Sequence, residues 1–191
     1  MNVYLTGLRR SGKDTAARAI SLAYGLRVVA LTEPLYAIAR EYFGMAEKDR
    51  ETLQKVGDAF RAVDEMWLIN HVVEQGDGLV CADIRLPIEA RALRNGGWIG
   101  LRVERPEEDR LDAVRAAGEY VTGEQARHHT ETMVAQVPVD GWINNNGTPE
   151  ELGEKAVAMV KAILRAREDH AWLHMRPVGR EILPPYEIDE P

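Results

Sequence analysis

The chain has 191 residues, 45% of them hydrophobic and 29% charged, which suits one folded domain with a substantial core. Its 24 basic residues against 31 acidic ones leave a net charge of −7, which argues against general binding of duplex nucleic acid. A lone Cys81 excludes an internal disulfide, and no apolar run approaches the roughly 18 residues that span a bilayer, so a cytoplasmic location without membrane contact is expected.

Val3-Tyr4-Leu5 reads as a strand and begins at once, so no leader segment is expected before it. Next come Gly7-Leu8-Arg9-Arg10-Ser11-Gly12-Lys13-Asp14-Thr15, and then the alanine-rich helical pattern Ala16-Ala17-Arg18-Ala19-Ile20. Strand, glycine-bounded loop and helix in that order are the setting in which G-x-x-x-x-G-K grips a polyphosphate. Glycines at the two ends let backbone N–H groups wrap an anion, and the helix start points its positive dipole end the same way. The ATP-binding candidates are therefore Gly7, Arg10, Ser11, Gly12, Lys13, Asp14 and Thr15. Lys13 would reach the β- and γ-phosphates, and the hydroxyl of Thr15 or Ser11 would face a phosphate or Mg²⁺.

Asp14 departs from the Walker pattern, which has Ser or Thr directly after the lysine. A carboxylate beside phosphates needs a cation, so Asp14 and Thr15 are the candidate Mg²⁺ residues, through water, unless an arginine meets Asp14. The G-K-x-T spacing points to small-molecule and nucleotide kinases rather than to switch GTPases or motor ATPases.

Farther along, Val28-Val29-Ala30 reads as a short buried strand ending in the turn Thr32-Glu33-Pro34, and a helix from Leu35 to Phe43 stops at Gly44. Leu53, Val56, Phe60, Val63 and Trp67 predict one long amphipathic helix from about Asp49 to Glu74. Gly76-Asp77-Gly78 turns the chain into Leu79-Val80-Cys81-Ala82, a continuous apolar run of the kind covered on both faces. Pro87 opens a helix to about Arg94, Gly96-Gly97 ends it, and Trp98 to Val103 is another strand. Residues 106–135 read as a partly exposed pair of helices broken between Gly118 and Gly123. Val139 to Ile143 is a last strand. Thr148-Pro149-Glu150-Glu151 has the N-cap, first-turn proline and capping-box glutamate of a helix start, and Leu152, Ala156, Met159, Val160 and Ile163 form its core face.

Alternating strands and helices of this kind predict an α/β three-layer P-loop NTPase fold, a parallel sheet flanked by helices with a helical lid at about 106–135. The domain should cover 1–168. The tail 169–191 carries four of the nine prolines and is a poor core former.

Asp83-Ile84-Arg85 leaves the third strand at the ligand end of the sheet. Asp83 there can hold a Mg²⁺-bound water or contact an acceptor, and Arg85 can clamp a phosphate. Arg102, Arg105, Arg110, Arg115 and Arg127 dot the fourth strand's end and the lid, where cations would arrive on closure. With Lys13, Asp83 and Arg85, Arg110 completes the catalytic candidates. His128-His129-Thr130-Glu131 lacks zinc-ligand spacing and reads as a lid surface. The run Asn144-Asn145-Asn146 is either a turn or a donor set for a purine edge.

With these pieces in order the sequence resembles the phage-type deoxynucleoside monophosphate kinases, a branch of the P-loop nucleoside monophosphate kinase-like family. The likeness covers roughly residues 1–165. It rests on Arg9-Arg10-Ser11-Gly12-Lys13-Asp14-Thr15, Thr32-Glu33-Pro34-Leu35, Leu53-Gln54 with Gly57, Arg61 and Trp67, and Asp83-Ile84-Arg85-Leu86-Pro87 with Glu89. Gly96-Gly97, Arg105-Pro106, His129-Thr130-Glu131 and Ile143 to Thr148 extend it. The resemblance implies ATP and Mg²⁺ as cofactors at residues 7–15, with the base near Asn146 and Gly147. It also implies a nucleoside monophosphate as the partner substrate and allows for a homodimer. The acceptor phosphate would lie near Arg9, Arg61 and Arg85, with Glu33, Trp67 and Arg105 on the substrate side and Arg110 or Arg115 brought in by closure.

A monophosphate acceptor is already mostly ionised near neutral pH, its second pKa being about 6, so it needs no strong general base. Two other readings stay open. One is a kinase of a hydroxyl-bearing small molecule, as in dephospho-coenzyme A, sugar or modified-base kinases, for which Asp83 is the candidate base. The other is a module that holds ATP without transferring phosphate.

Overall fold

A computed structural model describes residues 1–47, 49–118 and 132–169. Five strands, β1 (Val3–Thr6), β2 (Arg27–Val29), β3 (Leu79–Cys81), β4 (Ile99–Glu104) and β5 (Gly141–Asn144), form one sheet in the order β2-β3-β1-β4-β5. Every neighbouring pair is parallel, with Val3 beside both Val80 and Ile99. All strands therefore end on the same edge, and the loop after the central β1 opens at the middle of that edge.

Side chains alternate across the strands, and each face meets its own helices. Val3, Leu5, Val80, Ile99, Leu101 and Ile143 point toward α1 (Lys13–Tyr24) and the last helix. There Ala16, Ala17 and Ile20 meet Leu152, Ala156 and Val160. A Cβ on Gly153 would lie only 3.0 Å from Ala19 Cβ, so small residues let these two helices approach closely. The opposite face, with Tyr4, Leu79 and Cys81, is covered by α2 (Glu33–Phe43), α3 (Arg50–Val63), α4 (Trp67–Val73) and α5 (Pro87–Asn95). Layers of helix, sheet and helix result, the expected architecture. Each large aliphatic residue buried in the two cores contributes about 1.5–3 kcal/mol over the exposed state.

Tyr4 fixes the middle of the second face. Its ring occupies the space a side chain on Gly100 would need, and its hydroxyl donates to Pro138 O at 2.6 Å. At the amino ends of the strands, the side chain of Asp140 is 1% exposed and accepts from Gly100 N at 2.8 Å and Arg94 Nη2 at 2.8 Å, with Arg167 Nη2 at 3.5 Å.

Three expectations need correction. β2 is an edge strand with Val28 52% exposed, so its apolar pair does not lie between two layers. The turn expected at Thr32-Glu33-Pro34 is the start of α2, where proline in the first turn loses no hydrogen bond. The single long helix over 49–74 is two helices. Asp64 takes an extended conformation, its carboxylate accepts from Met66 N at 2.9 Å, and its carbonyl accepts from Trp67 N. An aspartate that bonds its own following backbone offers the chain a turn in place of another helical turn. The turn folds Trp67 back onto Phe60, the ring centroids 4.5 Å apart, and leaves Val63 88% exposed rather than in the core.

Within the region expected to form the lid, α6 (Glu107–Ala116) and a 3-10 turn, Met133–Gln136, are described. Arg127 and the His128 to Glu131 stretch lie outside the described residues, as does the tail beyond Asp169. The final helix, α7 (Pro149–Glu168), begins with the expected capping box: Glu151 N donates to Thr148 Oγ1 and Thr148 N to Glu151 Oε2. No helix among the described residues is long and apolar enough to cross a membrane.

Candidate active site

The loop between β1 and α1 takes three left-handed conformations in six residues, at Gly7 (φ 146°), Arg10 (φ 62°) and Gly12 (φ 104°). Bends of this kind turn successive N–H groups into one concavity, a nest for an anion. Arg10 is the only non-glycine residue with positive φ among those described, so the loop holds a strained residue at its tip. Both glycines are also needed for space. A Cβ on Gly7 would lie 2.4 Å from Val103 O, and one on Gly12 would lie 2.6 Å from Asn145 Nδ2 and 2.7 Å from Leu152 Cδ2.

At the helix start, N–H groups of residues 12–15 have no intrahelical acceptor, and Gly12 supplies no side-chain cap. Ser11 is 1% exposed, and its hydroxyl is buried without a hydrogen-bond partner. Lys13 is 7% exposed and folds over the loop, its Nζ donating to Leu8 O at 2.9 Å. A nest, an uncapped helix start, an orphaned hydroxyl and an ammonium group at one loop fit a polyphosphate. Asp14 and Thr15 are exposed in the first turn of α1. No cluster of three or more His, Cys, Asp or Glu suited to a metal occurs among the described residues. Mg²⁺ would then be held by Thr15 or Asp14 together with phosphate oxygens and water, the usual mode for this ion.

One residue of the asparagine run, expected to be a turn or a donor set for a purine edge, holds this loop instead. Asn145, directly after β5, donates from Nδ2 to Ser11 O at 2.8 Å, and its backbone N donates to Glu104 O at 2.7 Å. It ties the ends of β4 and β5 to loop 7–12. The sequence marked the asparagine run but gave no sign that Asn145 would reach back to Ser11. Asn146 and Gly147, the base-side candidates, lie exposed at the head of α7, where Lys155 Nζ donates to Asn146 Oδ1 at 2.8 Å.

On the other side of β1, Asp83 follows β3 as expected. Its carboxylate accepts from Leu31 N at 2.8 Å, Thr32 N at 3.2 Å, Thr32 Oγ1 at 3.0 Å and Cys81 Sγ at 3.2 Å. Asp83 thus fastens the loop between β2 and α2. Cys81 is fully buried, and burial pushes its thiol well above the ordinary value, so it is inert.

Arg85 is half-buried and donates its backbone N–H to Glu89 Oε2 at 3.0 Å. Arg61, from α3, places Nη2 3.4 Å from Glu89 Oε1, with a side chain 13% exposed. The Arg61 guanidinium and the Arg85 backbone N–H therefore meet at one carboxylate. Glu33 is exposed at the start of α2, Arg9 is half-buried and Arg10 exposed on the loop, and Trp67 is half-buried against Phe60.

The arginines of β4 and α6 divide. Arg105 reaches loop 7–12, its Nη1 3.5 Å from Arg10 O. Arg110 is 17% exposed by side chain, with Glu107 4.0 Å away. Arg115 is 74% exposed and paired with Asp112 in its own helix, so it is not gathered with the others here. Arg102 is removed from the set of mobile cations: it is 6% exposed and donates to the carbonyls of Val134 and Val137. It is a buried tie between β4 and the 3-10 turn. Two open hollows of about 470 and 490 Å³ lie on α6 and between β5 and α7, and neither is lined by a residue of loop 7–12.

No protein-family model and no curated protein sequence matches the chain. Among solved structures it is similar to a shikimate kinase from Aquifex aeolicus, with TM-score 0.58 and 15% identity over 85% of this chain and 97% of that one. A gluconokinase from Sinorhizobium meliloti gives TM-score 0.56 and 14% identity, covering 92% and 97%. A shikimate kinase from Acinetobacter baumannii, in complex with shikimate, gives 0.53 and 14%, covering 88% and 93%. At these identities the likeness establishes the fold: a three-layer α/β fold with a five-stranded parallel sheet, shared with these kinases over nearly their whole length.

Proposed function

We propose that the chain transfers the γ-phosphoryl group of ATP to the phosphate of a nucleoside or deoxynucleoside monophosphate. An acceptor phosphate oxygen attacks the γ-phosphorus, the bond from γ-phosphorus to the β-bridging oxygen breaks, and ADP leaves. The nest of loop 7–12 and Lys13 hold the β- and γ-phosphates, and the Ser11 hydroxyl fills its vacant hydrogen bond with a phosphate oxygen. Arg61 and Arg85 bind the acceptor phosphate, and Arg110 adds charge as α6 closes. Mg²⁺, when bound beside Thr15 and Asp14, supplies charge neutralisation on the phosphates. Catalysis in this scheme is positioning and electrostatics.

The choice of acceptor is carried by Asp83. Its two oxygens are taken up by four donors of the protein, so the residue best placed to deprotonate a hydroxyl has its lone pairs engaged. A monophosphate needs no such base, whereas a neutral hydroxyl does.

A second reading, a kinase of a hydroxyl-bearing small molecule, is favoured by the neighbours described as shikimate kinases and a gluconokinase. It would have to release Asp83 from these donors to serve as the base. Coupled ADP release decides between them, measured with each common NMP and dNMP and with gluconate and shikimate. Turnover with a monophosphate supports the proposal. Turnover only with a hydroxyl acceptor overturns it.

A further inference from the structure

Glu89 is a buried carboxylate whose two oxygens do different things. Oε2 accepts from the backbone N–H groups of Arg85 and Leu86, both at 3.0 Å, closing the first turn of α5. Oε1 is turned across the fold to Arg61 Nη2, on a helix 28 residues earlier. Capping alone does not account for such burial, since an exposed Ser, Thr or Asp at the helix start serves that purpose without desolvating a charge. The residue is 1% exposed, and three donors converge on its two oxygens. Burial, with the Asp83 charge nearby, pushes its pKa up, and the two backbone N–H groups and Arg61 pull it part of the way back.

Arg61 is held loosely for a guanidinium so far out of water. Its contacts to Glu89 and Asp58 are 3.4 and 3.8 Å, and its Nε is buried without a hydrogen-bond partner. Gly57 leaves room beside it, since a Cβ there would lie 3.0 Å from Arg61 Nη1. A desolvated guanidinium with an unfilled donor suits an oxyanion, and Glu89 limits where that oxyanion can be met.

We infer that Glu89 is a positioning residue for the acceptor phosphate: one carboxylate fixes the backbone from which Arg85 projects and draws the Arg61 guanidinium to the same place. This inference rests on the acceptor site proposed above. Glu89 touches neither nucleotide. It couples α3 to the loop after β3, so that two cations from distant parts of the chain present one preformed phosphate site.

The test is Glu89→Gln, with Glu89→Asp as the second variant, which keeps the charge and shortens the reach. Acceptor KM should rise about tenfold, the scale of one charge-assisted hydrogen bond, while ATP KM stays within about twofold. In parallel, the Arg61 Nε–Hε NMR resonance of the substrate-free protein should shift and broaden in the variant. A lowered melting temperature with both readouts unmoved means that Glu89 is only a helix cap, and overturns the inference. If the wild-type chain phosphorylates no monophosphate, the functional proposal falls by itself, and the Arg61 resonance still decides the role of Glu89. If Glu89→Gln does not fold, the same two readouts are taken on Glu89→Asp, where wild-type values overturn the inference.

Discussion

Gly12 and Asn145 share one space: the point where a Cβ on Gly12 would sit is 2.6 Å from Asn145 Nδ2, the atom that donates to Ser11 O. The phosphate loop closes against β5 only because one residue lacks a side chain and the other supplies an amide. Gly12→Ala, at φ 104°, should therefore weaken ATP binding by more than about tenfold, since the loop must move to relieve both strain and overlap. Isothermal titration with ATP and Mg²⁺ measures this, and wild-type affinity in Gly12→Ala would show that the loop is not the ATP site.

Asn145→Ala removes the tether and leaves the glycine its room. ATP KM should rise about tenfold through loss of a buried hydrogen bond, with the acceptor KM little changed. Steady-state kinetics with each substrate varied in turn check the split. An equal rise in both constants would mean that the whole carboxyl edge, rather than the loop, depends on Asn145.

Lys13→Met keeps an apolar stem in a site 7% exposed while removing the ammonium group. Turnover should fall by at least about 10²–10³-fold, the scale for losing one preorganised charge or donor at a developing oxyanion. Circular dichroism should remain that of the wild type. A variant that keeps its rate would refute the assignment of the γ-phosphate to this loop.

Asp140 lies at the opposite end of the sheet and separates stability from function. Asp140→Ala strands the Gly100 N–H and breaks the pair with Arg94, which should cost about 2–4 kcal/mol in urea denaturation. Both KM values should hold at temperatures where the variant is folded. A change in KM with little loss of stability would contradict this division.

Glu89 gives a pH dependence of defined sign. Burial raises its pKa in the folded chain above the ordinary 4.5, so the native state holds that proton to higher pH than the unfolded chain does. Its contribution to stability is fully present below 4.5 and is lost as pH climbs through the raised value. Glu89→Gln has no such titration. Denaturation curves at stepped pH should show wild type losing ground against Glu89→Gln as pH rises through that window, and a difference that stays flat would remove the argument.

The main architecture was legible because it depends on local pattern. The run Leu79 to Ala82 and the capping box at Thr148 and Glu151 each signal their element within a few residues, and both are seen in the structure. The bends of loop 7–12 were legible for the same reason, its glycines and lysine being adjacent in sequence. What was hidden depends on pairs far apart. Arg102 looked like a mobile cation until the carbonyls of Val134 and Val137 were found around it. Asp64 carried no visible break signal, because a bond from its carboxylate to the next turn competes on equal terms with another helical turn. Asn145 and Glu89 act across 134 and 28 residues respectively, distances at which spacing carries no information.

Tyr4 gives the middle strand an alkaline weakness. Its hydroxyl is committed to the Pro138 carbonyl, and burial with the nearby Asp140 charge pushes its pKa far above the ordinary 10. Folded, the phenol keeps its proton; unfolded, it releases it. Base should thus act as a denaturant through this ring, and the late rise of tyrosinate absorbance from Tyr4 would coincide with the parting of β1 from β4, an optical marker built into the centre of the sheet.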